Sequence, residues 1–289
     1  MRNVKTSGLS LLALTAGLVV AVSAADAHDF WLVPDAFQVA RRGEIVIRGQ
    51  TSSRFPTSES AVALDRIAEA LLIGPGGQQP ISEMSHRGKS LVLKRKPSAA
   101  GQHLVAVKLL PRNARETVAG FRRYLELEGA PAARERIDRE GLLEGKDSVT
   151  RRYAKYAKTF VQVGSRGPRV FDRVVGHPLE FVPLGDPARV VRGDTLPLRV
   201  LYRGAPQPGL HVHAGAADWP SSPDSAIRAS ARLEDVALVS DDSGVIKVPV
   251  TRIGIWNVRA IQVHQAPAGS GADWDTHWAT LVFIVNRKR

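Results

Sequence analysis

The chain has 289 residues and a formal net charge of +12, with eight histidines and no cysteine. Without cysteine there are no disulfide staples and no thiolate metal sites, so a core must hold the fold, and any metal must be bound by histidine, carboxylate or amine. The charge is spread in small clusters, Arg41-Arg42, Lys94-Arg95-Lys96, Arg122-Arg123, Arg151-Arg152 and the Arg287-Lys288-Arg289 tail. With no nucleic-acid motif among them, they read as a solvated basic surface, and no nucleic-acid partner is expected.

Arg2 and Lys5, followed by the apolar run from Leu9 to Val22, read as a secretory signal peptide over residues 1–27. The run falls short of the roughly 20 residues of a comfortable membrane span, so no stable membrane insertion is expected once the leader is removed. Cleavage after Ala27 satisfies the small-x-small rule, and so do cuts after Ala24 and Ala25. A cut after Ala27 makes His28 the first mature residue. Its amine, with a pKa near ~8, and its ring, near ~6.5, can then close a chelate on nickel, cobalt or copper at neutral pH. The alternative stays open: Phe30-Trp31-Leu32 looks like an ordinary first strand, and His28 is then only the residue after the leader.

Residues 28–111 read as a first β-sandwich domain, with strands at Phe30–Val33, Phe37–Ala40, Glu44–Gly49, Ala68–Ile73, Ser90–Lys94 and His103–Leu109. Residues 112–164 change period. Val118, Phe121, Tyr124 and Leu125 recur at helical spacing, as do Tyr153, Tyr156, Ala157, Phe160 and Val161, so this segment is expected to be helical and to pack on the first domain. Pro131 to Lys146, rich in Arg and Glu, reads as an exposed helical link.

After the linker Gly164 to Pro168, residues 175–289 read as a second β-sandwich domain, immunoglobulin-like or transthyretin-like. Its strands are Leu179–Leu184, Leu196–Tyr202, Leu210–Ala216, Val245–Val250, Ile255–Val263 and His277–Val285, with a long polar connection from Ala216 to Asp235. The fold class is therefore mostly β: two β-sandwich domains with a helical insertion between them.

His211 and His213, two apart on one strand, project from the same face and form a possible metal pair; if Leu210, Val212 and Ala214 face the core, both point outward. Gln262 and His264 share a face with Trp256, Val258 and Ala260, and His277 shares one with Ala279, Leu281 and Phe283. If those strands pair directly, His264 and His277 flank the mouth of one loop within shared ligand distance. His177 stands just before a strand, in Gly176-His177-Pro178-Leu179-Glu180. His86 and His103 have no ligand-spaced neighbours and read as structural or surface residues. No nucleophile elbow, phosphate loop or dinucleotide fingerprint is present, and the chain reads as non-enzymatic.

Several of these segments together are similar, in order and content, to an exported bacterial domain-of-unknown-function family. They are His28-Asp29-Phe30-Trp31-Leu32, Phe55-Pro56, Arg152 to Lys158, Gly176 to Glu180, Gly254-Ile255-Trp256 and Trp278-Ala279-Thr280-Leu281. Members are often described as periplasmic components of nickel or cobalt uptake. The resemblance implies a periplasmic, mostly β protein handling a nickel or cobalt ion, or copper, beside an inner-membrane metal transporter. It makes His28 and His177 the preferred ligand candidates; the clustering of the histidines themselves adds His264 and His277 to complete a site, with His211 and His213 as a separate or alternative pair. The resemblance also leads to the expectation of a histidine where Gln262 stands; His264, two residues on and on the same face, is the substitute. Two rival readings are a metal-free envelope interaction or structural protein, and a copper oxidase using an N-terminal histidine.

Overall fold

The computed structural model describes residues 28–217 and 236–286. The expected leader, residues 218–235 of the polar connection and the Arg287-Lys288-Arg289 tail lie outside the described residues.

Three sheets form. The first takes β1 (Asp29–Pro34), β3 (Ile45–Ser52), β7 (Ser90–Arg95) and β6 (Glu83–Arg87) in that order. The central sheet has ten strands, with the path β15 (Val236–Val239), β14 (His211–Ala217), β17 (Gly254–Gln265), β18 (Trp274–Val285), β10 (Ser148–Val163), β8 (Gly101–Leu109), β4 (Ile67–Gly74) and β5 (Gly77–Pro80). The short strands β2 (Gln38–Val39) and β9 (Arg112–Thr117) also pair with β10. The third sheet takes β11 (Leu179–Pro183), β12 (Thr195–Tyr202), β13 (Ala205–Pro206) and β16 (Val245–Pro249).

The protein is mostly β, and its two sandwiches draw on the same central sheet. On one face, Phe30, Leu32, Ile47, Leu91 and Leu93 of the first sheet close over Leu72, Val105, Val107, Ala157 and Val161. On the other, Phe181, Leu196, Leu198, Val200 and Val248 of the third sheet close over Tyr156, Phe160, Val212, Val258, Leu281 and Phe283. Because side chains alternate along a strand, β10 gives its odd-numbered residues to one core and its even-numbered ones to the other. It runs parallel to β18 in unbroken register from Arg151 opposite Trp274 to Thr159 opposite Val282.

That double burial corrects the helical reading of residues 112–164. Only α1 (Val118–Leu127) and α2 (Pro131–Arg139) are helical there, while Tyr153 to Val161 lie in the sixteen-residue strand β10. A strand covered on both faces loses the apolar–polar alternation by which a half-exposed strand is recognised, so its aromatics pass for a helical stripe. Thr117 caps α1, its hydroxyl accepting from the Gly120 N–H at 3.1 Å, and Pro131 opens α2, where a missing N–H is harmless. The helices also do not pack on the first sandwich. Phe121, Leu125 and Ile137 bury against Ile261, Val263, Trp274 and Trp278 of β17 and β18.

Candidate functional site

At the end of the second sandwich where β17 turns into β18, histidine and tyrosine rings form a chain. Tyr156 of β10 lies 5.4 Å from the His177 ring and 6.0 Å from the His277 ring, centroid to centroid. Tyr202, at the end of β12, stacks on His264 at 4.6 Å and lies 5.5 Å from His277. The strands carrying His264 and His277 pair directly, with Gln262 opposite His277 and His264 opposite Asp275, so the two histidines are diagonal neighbours on one face.

The ring nitrogens are poorly committed. His277 Nδ1 shares a hydrogen bond of 2.9 Å with the Tyr156 hydroxyl, and its buried Nε2 has no hydrogen-bond partner. His264 Nε2 and both nitrogens of His177 are likewise buried without one. Burial pushes the His277 and His177 rings down to about 4, and lowers His264, where the Arg136 and Arg203 charges add to the effect. At neutral pH these imidazoles are uncharged, the state in which they can donate a lone pair.

His177 owes its position to a buried carboxylate. Glu180, 1% exposed, accepts from the Val175 and Gly176 N–H groups at 2.7 and 2.9 Å and from Lys158 Nζ at 2.6 Å. Asp275 forms a two-pronged pair with Arg152, at 2.7 and 2.8 Å.

His28 lies elsewhere. Its Nε2 is 2.9 Å from Glu59 Oε2, its buried Nδ1 has no hydrogen-bond partner, and its carbonyl accepts from Lys155 Nζ. Burial works against ionisation of Glu59, but the Ser52 hydroxyl and His28 hold its carboxyl below the usual range. Lys155 is an odd-numbered residue of β10 and Tyr156 an even one, so His28 and the ring chain occupy opposite faces of the central sheet. The structure therefore brings His177, His264 and His277 to one end of the second sandwich and leaves His28 apart from them. Among the described residues, no three His, Asp or Glu side chains stand close enough to surround an ion.

Val212, Ala214 and Ala216 face the core, leaving His211 and His213 on the other face of β14. His213 abuts Gly129, whose φ of +77° lets the chain turn from α1 into α2; a β-carbon there would collide with the His213 ring. His211 instead lines a cleft of about 230 Å³ between α2 and the ends of β14 and β17, together with Arg136, Gln207, Gln262 and His264. His86 Nε2 bonds the Val62 carbonyl region at 2.8 Å, and His103 is buried with Nδ1 3.2 Å from the Gly101 carbonyl oxygen.

Tyr156, Tyr202, Arg136 and Arg203 are the residues that sequence reasoning missed. Once β10 is read as a strand, alternation alone places Tyr156 on the face of Ala154 and Phe160, toward the third sheet. The sequence carries no comparable signal for Arg136 or Arg203.

Fold and site together define a mostly β, double-sandwich protein with an imidazole-rich end. The chain belongs to the DUF4198 family, a domain of unknown function, whose match spans residues 25–264. None of the curated proteins matches it. Among solved structures, the D0-D1 domain of intimin aligns at 12% identity over 89% of this chain and 98% of its own, with a TM-score of 0.22. The Yersinia pseudotuberculosis adhesin InvE aligns at 11% identity over 90% of this chain and 59% of its own, with a TM-score of 0.21. Murine CEACAM1b aligns at 8% identity over 90% and 100%, with a TM-score of 0.20. No helix among the described residues is long and apolar enough to cross a membrane.

Proposed function

We propose that this is an exported, non-enzymatic transition-metal-binding protein. It takes nickel or cobalt, with copper as the alternative ion, and works in the periplasm as an accessory or substrate-binding component beside an inner-membrane metal transporter. The observation that carries the reading is the set of buried, unengaged imidazole nitrogens on His177, His264 and His277 at one end of the second sandwich. Borderline ions prefer such neutral nitrogen donors, and a ligating ring commonly has its other nitrogen hydrogen-bonded, as Tyr156 does for His277 Nδ1. His264 and His277 would hold the ion, with His177 behind Tyr156 as a further donor. His28 is a separate candidate on the far face: its Nδ1 is the ring nitrogen closer to its own backbone nitrogen, and cleavage after Ala27 would expose the amine needed for a chelate.

Isothermal titration of the exported protein with nickel, cobalt and copper, alongside N-terminal sequencing and cell fractionation, tests the reading. Binding that is lost in a His264→Ala/His277→Ala double variant supports it. If no ion binds, or if the melting temperature is indifferent to both metal and chelator, the reading falls and a metal-free envelope role takes its place.

A further inference from the structure

The ring chain and the adjoining cleft carry charge of the wrong sign for a free cation. Arg136 lines the cleft and, among the described residues, pairs with no carboxylate. Arg203 lies 5.1 Å from the Tyr202 ring, which itself stacks on His264. Asp275 is engaged by Arg152, and among the described residues no Asp or Glu lines the cleft. A bare divalent ion approaching His264 meets two guanidinium charges on a chain of net charge +12. Two imidazoles would also leave most of its coordination positions unfilled, and among the described residues no three His, Asp or Glu side chains stand close enough to surround it.

The cleft supplies what the ion lacks. Its 230 Å³ is the liquid volume of about eight waters and lies below the usual range for cofactor or drug-sized ligands, so its occupant is a small molecule. The polar groups on its wall, Arg136, His211, Gln207 and Gln262, suit carboxylate oxygens, and Arg136 can engage a carboxylate through two parallel N–H donors. Ala130, Ala133, Leu210, Ile261 and Val263 line the rest, an apolar wall that suits a short carbon skeleton.

We infer that the cargo is an anionic complex of a transition-metal ion with a small polycarboxylate, the ion taking imidazole nitrogen from His264 and His277 while an uncommitted carboxylate pairs with Arg136. This rests on the metal-binding reading above and names its substrate class.

Nickel chloride, nickel(II) citrate and citrate alone, each titrated into the exported protein, provide the test, with equilibrium dialysis reading the ratio of bound nickel to bound citrate. The complex is expected to bind at least about tenfold more tightly than bare nickel, with one citrate retained per nickel. In Arg136→Ala that preference should disappear, while the affinity for bare nickel stays level or rises and the melting temperature is unchanged. Equal affinity for nickel with and without citrate overturns the inference and leaves the metal reading standing. Citrate alone binding as tightly as its nickel complex also overturns the inference, and no binding of nickel in either form overturns both.

Discussion

Gln262 stands directly across the β17–β18 ladder from His277, while His264 sits one diagonal step away, opposite Asp275. Facing residues in an antiparallel pair hold their β-carbons ~4.5–5.5 Å apart on the same side, closer than diagonal neighbours. A Gln262→His substitution would therefore place two imidazoles face to face at the cleft. Nickel affinity is expected to rise by about tenfold, as read by competition with a coloured chelator. An unchanged affinity would place the ion somewhere other than this hairpin.

His28 and His277 lie on opposite faces of one sheet with no shared partner. Substituting each by alanine should give effects on nickel binding and on stability that add, within ~0.5 kcal/mol for the latter. A coupling energy well above that in a double-mutant cycle would place both in one site.

Acid should loosen the ring chain. His177 and His277 are held near 4, chiefly by burial, whereas a free imidazole titrates near ~6.5. Between those values the unfolded chain takes up protons that the folded one refuses. The stability these rings confer is thus complete above about pH 6.5 and is lost as pH falls toward 4. The melting temperature of the metal-free protein should drop across that window. His177→Phe, which gives up no hydrogen bond because neither ring nitrogen makes one, should flatten the drop while leaving the value at pH 7 unchanged or higher.

Glu180→Ala should damage the fold more than any of these. It leaves the Lys158 ammonium, 2% exposed, with only backbone carbonyls for partners, and it releases the Val175 and Gly176 N–H groups that hold the His177 loop. Breaking a buried pair from one side costs about 3–5 kcal/mol, or about 10 °C in melting temperature for a chain of this size. A shift of a degree or two would show that the loop is held by other contacts.

Much of this fold was legible in the sequence where strands keep one wet face. Along β14, the alternation of Val212 and Ala214 with His211 and His213 is enough to place both histidines off the core. Period-two counting brings His264 and His277 together once β17 and β18 pair directly, and the register then makes them diagonal neighbours. Legibility failed where burial is two-sided or cations are internal. In β10, Arg151, Lys155 and Lys158 occupy core positions because Glu116, the His28 carbonyl and Glu180 receive them, and no periodicity announces such pairings. The convergence of Arg136 and Arg203 on the rings joins a helix, a strand end and a hairpin far apart in the chain, so it exists only in three dimensions.

The parallel seam between β10 and β18 has a consequence for how the molecule can change. Lys155 and Tyr156 are consecutive residues serving opposite sides of a shared wall, so slippage by one position would thrust an ammonium group among the rings and a phenol among the ions. The two compartments are kept distinct by the same backbone that joins them, and neither can rearrange by sliding without scrambling the other.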